Sequence, residues 1–206
     1  MSTNNLKKAS LATGAAAMMT GTAQAARRNR RVNRLIARIK DSDAETRTKA
    51  WQSAGDVGAP AVQPLAIVMT DDDLEVARAA KRAIWKIVRH TGRPGAANAK
   101  NAVVAKLCGV LGADQPVSVR REVLWMLSEI GGARAIRPIA ELLSDKHLRE
   151  DARMALERIP VPRALQALKA GFEVAPEDFK PNLAQSLRKR GVNVEGYPCV
   201  KLVPTK

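Results

Sequence analysis

Residues 118–145 read SVRREVLWMLSEIGGARAIRPIAELLSD. Arg120 is followed by Val123, then by Met126 and Leu127, then by Ile130 and Gly131. This spacing sets the apolar side chains on one face of a helix. After the Gly131-Gly132 pair a second apolar run, RAIRPIAELL, leads to Asp145. The stretch is a helical hairpin with one apolar face, and a lone hairpin has nothing to bury that face against.

The same offsets recur along the chain. Arg47, Ala50, Ser53-Ala54 and Val57-Gly58 form one copy, and Arg78, Lys81, Ile84-Trp85 and Val88 a weaker one. Arg149, Ala152, Ala155-Leu156 and Ile159 form another, with Pro160 in the glycine position. Lys180, Leu183, Ser186-Leu187 and Arg190-Gly191 make a last half copy. The leading basic residues stand 31, 42, 29 and 31 positions apart. The widest interval holds the Gly/Pro-rich stretch 89–101, RHTGRPGAANAKN, which reads as an enlarged loop. The second runs PAVQPLAIVM, NAVVAKLCGVL, RAIRPIAELL and PRALQALKAG complete four hairpins. Glycine after the first helix falls where a left-handed C-cap is expected. Neighbouring hairpins would stack into a continuous core. The pattern therefore predicts an all-α, right-handed solenoid of four hairpins and a half repeat.

Written as x-V/A-R-x-x-A-x-x-A-L-x-x-I-G followed by A-x-x-x-L-x-x-L-L-x-D, the repeat resembles the HEAT-like repeats. It is most similar to the short bacterial type first associated with bilin lyase subunits. The resemblance covers residues 41 to about 191. It implies a fold and leaves function open, because such repeats serve scaffolds, lyase subunits, hydroxylases and DNA repair enzymes. It also implies that Arg47, Arg78, Arg120 and Arg149 form a structural ladder between repeats. An aspartate precedes three of these arginines (Asp43, Asp73, Asp145) and would support each helix start by local pairing.

Charge is distributed unevenly. The 206-residue chain carries a formal +15. Residues 27–40, RRNRRVNRLIARIK, hold seven basic groups and no acid, whereas residues 41–179 hold 20 basic and 19 acidic groups. Within residues 26–40, Val32, Leu35, Ile36 and Ile39 share one helical face. This predicts a basic amphipathic helix that caps the first repeat. Its Arg27, Arg28, Arg30, Arg31, Arg34 and Arg38 are candidates for contact with an anionic surface or nucleic acid. Ahead of it, residues 1–25 have two lysines, a mildly apolar stretch and Ala23-Gln24-Ala25, the order of a signal peptide. Export to a periplasmic or extracellular location is therefore expected. The absence of acid before Asp41 also suits an organelle transit peptide, and an uncleaved tail is the third reading.

No catalytic or metal site is legible, and no cofactor is expected. His90 is followed by Thr91 and His147 by Leu148, so the His-Glu pairs of the HEAT-like hydroxylases are missing. No phosphate-cradling glycine loop or nucleophile motif stands between a strand and a helix. Cys108 falls on the apolar face of a second helix, and Cys199 lies in the irregular stretch 192–206. The two could pair if the tail folds back in an oxidising compartment. Residues 41–191 thus read as a non-catalytic interaction scaffold. Its partner is expected to be another protein, for which an acidic segment would fit; nucleic acid or an anionic surface at the basic ends is one alternative, and a role as a bilin-lyase-like enzyme subunit, which the resemblance implies, is the other. Candidate contacts on the second helices are Arg134, Arg137, Arg163, Gln166 and Lys169. Trp125 lies on a polar helix face, where a large aromatic is either a binding anchor or a contact to the next repeat.

Overall fold

Aspartates start the first helices of the first two hairpins. In the computed structural model, which describes residues 22–198, helix α1 spans 22–39 and ends at a loop beginning with Asp41. Asp43 caps α2 (Ala44–Ser53) by accepting the amide of Thr46. Asp73 caps α4 (Leu74–Thr91) in the same way, accepting from Glu75 and Val76. The acids before Arg47 and Arg78 thus satisfy free amides of a helix N-terminus, a role distinct from the side-chain pairing that the spacing implies, whereas α8 has no side-chain cap. Asp41, Asp71 and Asp145 each accept the amide two residues on, which fixes the turn that enters the hairpin.

The second helix of the first hairpin is α3 (Val62–Val68). The remaining hairpins are α4 with α5 (Ala97–Gly109), α6 (Val117–Ile130) with α7 (Ala133–Ala140), and α8 (Arg149–Arg158) with α9 (Pro162–Val174). A final α10 (Lys180–Lys189) stands alone as the half repeat. The first helices pack in one layer, α2 on α4 and α6 on α8 on α10. The second helices pack in the other, α3 on α5 on α7 on α9. No strand occurs among the described residues. One core runs through the stack, from Ile39 through Leu65, Ile84, Leu107, Leu127 and Ile139 to Leu156 and Leu187. The fold is an all-α solenoid of stacked hairpins.

Helix α1 buries Val32, Leu35 and Ile39 in this core, with Ile36 packed beside them. Arg31 ties it to the first hairpin through the carbonyl of Asp56 at 2.7 Å, and Lys40 pairs with Asp71 at 2.8 Å. Residues 22–31 of the same helix are exposed, and the expected cut after Ala25 falls inside it. At the other end of the stack, Arg190 donates to the carbonyls of Leu156, Glu157, Ile159 and Val161. Leu156 and Glu157 stand in the last turn of α8, Ile159 is its C-cap and Val161 the N-cap of α9, so Arg190 fastens α10 to the turn of the fourth hairpin.

Three expectations are corrected. The stretch 89–101 is mostly helical: α4 runs to Thr91, α5 starts at Ala97, and the loop is 92–96. Buried Thr91 extends α4 by bonding back to the carbonyls of Ile87 and Val88. Gly131 is not left-handed; its φ is −60 and its ψ 148. Gly58 and Gly191 do have positive φ, at 70 and 81. The third correction concerns the repeat phase in α4. Its buried positions include Val76, Ala80, Ala83, Ile84 and Ile87. They match Val119, Val123, Met126, Leu127 and Ile130 of α6, which are all buried as well. Ala77 therefore stands where Arg120 does, and Arg78 is one position out of the ladder.

The first-helix layer is thin at one place. Helix α4 barely touches α6, although α5 packs on both α6 and α7. A cleft of about 190 Å³ opens there, lined by Leu74, Ala77, Lys81, Ser118 and Glu122. Lys81 bridges it to Glu122 at 2.9 Å.

Candidate protein-binding face

The second helices repeat in phase. Val103, Val104 and Leu107 of α5 take the buried positions of Ala135, Ile136 and Ile139 in α7. Ala164, Leu165 and Leu168 take them in α9; Leu165 is half-buried. Solvent-facing residues then line up across the layer. Arg134 stacks beside Arg163, and Arg137 beside Gln166. The matching positions on α5 are Ala102 and Ala105. The second helices together carry Lys100, Lys106, Arg134, Arg137, Arg163 and Lys169 against Glu173 alone.

These cations are largely uncommitted. Arg134, Arg163 and Lys169 are exposed and make no hydrogen bond or ion pair among the described residues. Lys106 reaches Gln63 at 3.2 Å. Arg137, 91% exposed, pairs with Glu141 at 3.0 Å. On the first helices several cations are engaged with neighbouring repeats. Arg121 and Trp125 of α6 converge on Asp151 of α8, at 3.0 and 3.2 Å. Arg153 bonds Glu157 and Ser186, and Glu157 also takes Lys189 at 2.6 Å. Burial raises the Glu157 carboxyl, but Lys189, Ser186 and Arg153 outweigh it and hold the group below its ordinary range.

The ladder residues differ from one another. Arg120 is buried, donates to the carbonyl of Leu111 at 3.0 Å, and meets Asp145 at 3.4 Å. Arg47 donates to the carbonyls of Asp41 and Ser42 in its own entry loop. Arg149 lies over the ring of Phe179, 4.8 Å from its centroid, and pairs with Asp178. Arg78 pairs only with Glu75 of its own turn and is exposed, so it bridges no repeats. Trp125 is 43% exposed and tied to the neighbouring first helix.

Helix α1 adds a second basic region. Arg31, Arg34 and Arg38 rim a cleft of about 200 Å³ against Ser53 and Asp56. Arg28 lines another hollow with Pro60 and Lys106, beside the second-helix layer. Arg27, Arg30, Arg34 and Arg38 have no partner among the described residues.

Two features escaped the sequence reading. One is the acceptor Asp151, which joins α6 to α8. The other is an apolar cleft of about 410 Å³ between α7 and α9, between Ala140 and Leu143 on one side and Ala167, Ala170 and Val174 on the other. Its only sequence signal is the run of small residues, and alanine contributes little to an apolar pattern. His90 packs over Gly55, where an added Cβ would lie 2.9 Å from the His90 Cβ. No group of three or more His, Cys, Asp or Glu residues suited to a metal ion occurs among the described residues. No helix among them is long and apolar enough to cross a membrane. Half-buried Cys108 has its thiol pushed up by burial. Cys199, and with it the suggested pairing, lies outside the described residues.

The chain was compared with known proteins. Residues 96–188 match the family model described as HEAT repeats. No curated protein matches significantly. Among solved structures, an engineered protein is similar at 22% identity over 77% of this chain and 78% of its own, with a TM-score of 0.41. A designed armadillo repeat protein in complex with the peptide (KR)4 is similar at 18% identity over 75% and 80%, with a TM-score of 0.42. The family match falls on α5, the third and fourth hairpins and α10, whose helices stack in two layers about one core, and residues 96–188 are accordingly HEAT-like repeats.

Proposed function

We propose that this protein is a non-catalytic scaffold that holds an acidic segment of another protein along its second-helix face. The observation that carries this reading is the contrast in charge use. Cations on the first helices mostly serve contacts within the stack, while Arg134, Arg163 and Lys169 on the second helices have no partner. Exposed cations aligned across stacked helices attract acid, and a desolvated arginine can supply much of the binding energy at an interface. No exposed large aromatic occurs on α3, α5, α7 or α9, so the face lacks the stacking platform that single-stranded nucleic acid favours.

A second reading rests on α1, whose arginines would dock on nucleic acid or an anionic membrane surface. The two are separated by measuring an acidic peptide and a DNA duplex side by side by fluorescence anisotropy. The Arg134→Glu/Arg163→Glu variant should weaken peptide binding by tenfold or more with unchanged helical content. The Arg27→Gln/Arg28→Gln/Arg30→Gln variant should leave it intact. The reverse ranking, with duplex affinity falling steeply as salt rises, would move the function to α1.

The same reading includes export with cleavage after Ala25. In its support, the described residues before Val32 contribute nothing to the core, so the cut would remove no buried side chain among them. Intact-mass measurement of the native protein tests this; a chain that still begins at Met1 would end the export reading.

A further inference from the structure

We infer that the cleft between α7 and α9 receives one apolar side chain of that acidic segment, an inference that rests on the reading just given. The cleft exists because small residues face each other. A Cβ at Gly171 would come within 2.6 Å of Leu143 Cδ1, so glycine lets α9 approach closely. Ala140, Ala167 and Ala170 then leave the space between the two helices unfilled, to about 410 Å³. Val174 at the mouth is 84% exposed. An apolar hollow of this kind left open to water loses the contacts that a filled one makes.

Charge complementarity names the occupant. Arg163 stands one turn before Ala167 on the same stripe of α9, and Arg134 of α7 lies beside it, both without partners. Glu141 also lines the cleft, and its charge is answered by Arg137. With the helical rise, Arg163 sits about 6 Å along the axis from Ala167 and about 10 Å from Ala170. An extended chain advances about 3.3 Å per residue. The fitting segment therefore carries an acidic residue two or three positions from a leucine, methionine or phenylalanine. The chain's own residues 199–206, CVKLVPTK, have two lysines and no acid, so their charge opposes this rim.

The test uses the full chain and two twelve-residue peptides of glutamate, aspartate, glycine and serine. One has a single central leucine with acids two and three positions away; in the other, alanine replaces the leucine. By anisotropy the alanine peptide should bind about tenfold more weakly or worse, the effect of burying much of one leucine side chain. Ala170→Trp fills the cleft from an exposed helix position, and Val174→Asn makes its mouth polar. Each should weaken the leucine peptide severalfold and leave the alanine peptide unchanged, with the circular dichroism of the native protein. Arg163→Glu should weaken both peptides. Equal binding of the two peptides, unaffected by Ala170→Trp, overturns the cleft assignment and leaves the basic face standing. Failure of both peptides to bind overturns the underlying scaffold reading as well. If removing residues 199–206 raises leucine-peptide affinity tenfold, the tail is the occupant and the inference is wrong.

Discussion

Two adjacent glycines in the third hairpin differ by what a methyl group would strike. At Gly131 an added Cβ would lie 2.4 Å from the carbonyl oxygen of Leu127 and 2.8 Å from Ile159 Cδ1; at Gly132 it would meet nothing within 4 Å. Gly131→Ala should therefore destabilise by about 1–3 kcal/mol, the usual cost of overpacking. Gly132→Ala should change urea stability by less than about 0.5 kcal/mol, as substitutions away from tight contacts do. A second residue-scale comparison sets Arg120 against Arg78. Arg120→Ala strips the buried carbonyl of Leu111 and the half-buried carboxylate of Asp145 of their donor, with an expected loss of about 1–3 kcal/mol. Arg78→Ala removes one exposed pair, worth well under about 1 kcal/mol. Equal melting temperatures for the two variants would put Arg120 outside the structural role assigned here. In the sequence both arginines and both glycines look alike. Which Gly131 neighbour crowds it, and which arginine is buried, depends on the next repeat, and one hairpin's pattern carries no information about that.

Helices with strong apolar spacing were legible and those built on alanine were not. In α6 the buried apolar positions are valine, leucine, methionine and isoleucine, and the spacing read from the sequence is the one in the structure. In α4 the inward face includes Ala79, Ala80 and Ala83, beside Arg78, Lys81 and Arg82. Alanine is scarcely more apolar than its surroundings, so the phase slipped by one and placed Lys81 on the buried stripe. The same weakness hid the cleft between α7 and α9. By contrast, α1 declared itself through Val32, Leu35 and Ile39, which the structure buries. As a cap it should protect what lies beneath. Leu35→Ala is expected to cost about 2–4 kcal/mol, as large-to-small core changes do. Amide exchange should accelerate in α2 and leave α8 and α10 unaffected, since each hairpin contacts only its neighbours. Acceleration spread evenly over the whole stack would mean that it unfolds as one cooperative unit.

Over the whole molecule, net charge proved a poor guide. Residues 41–179 are nearly neutral, yet many of the acids sit in caps and turns while the second helices are basic. Segment totals cannot show a separation that arises only when the hairpins stack. The capping and pairing acids also set the response to acid. The hydrogen bond from Thr46 holds the Asp43 carboxyl below its usual range, that from Lys40 holds Asp71, and that from Arg149 holds Asp178. A carboxyl depressed in the fold stabilises it at any pH above the ordinary range near about 4, and that contribution is lost as pH falls through the folded value. Urea midpoints should thus be flat from pH 7 to 5 and drop below about pH 4, and Asp178→Asn should make the drop shallower. A midpoint that rises on acidification would contradict these pairings. The thin junction between α4 and α6 has a mechanical consequence. On one layer the two halves of the stack are joined mainly by Lys81 and Glu122, while on the other α5 rests on α7. The molecule is therefore stiff on one side and compliant on the other, like a strip scored along one surface. Under bending it would yield at that score before any hairpin unravelled, so one half-buried polar contact governs how far the second-helix face can close.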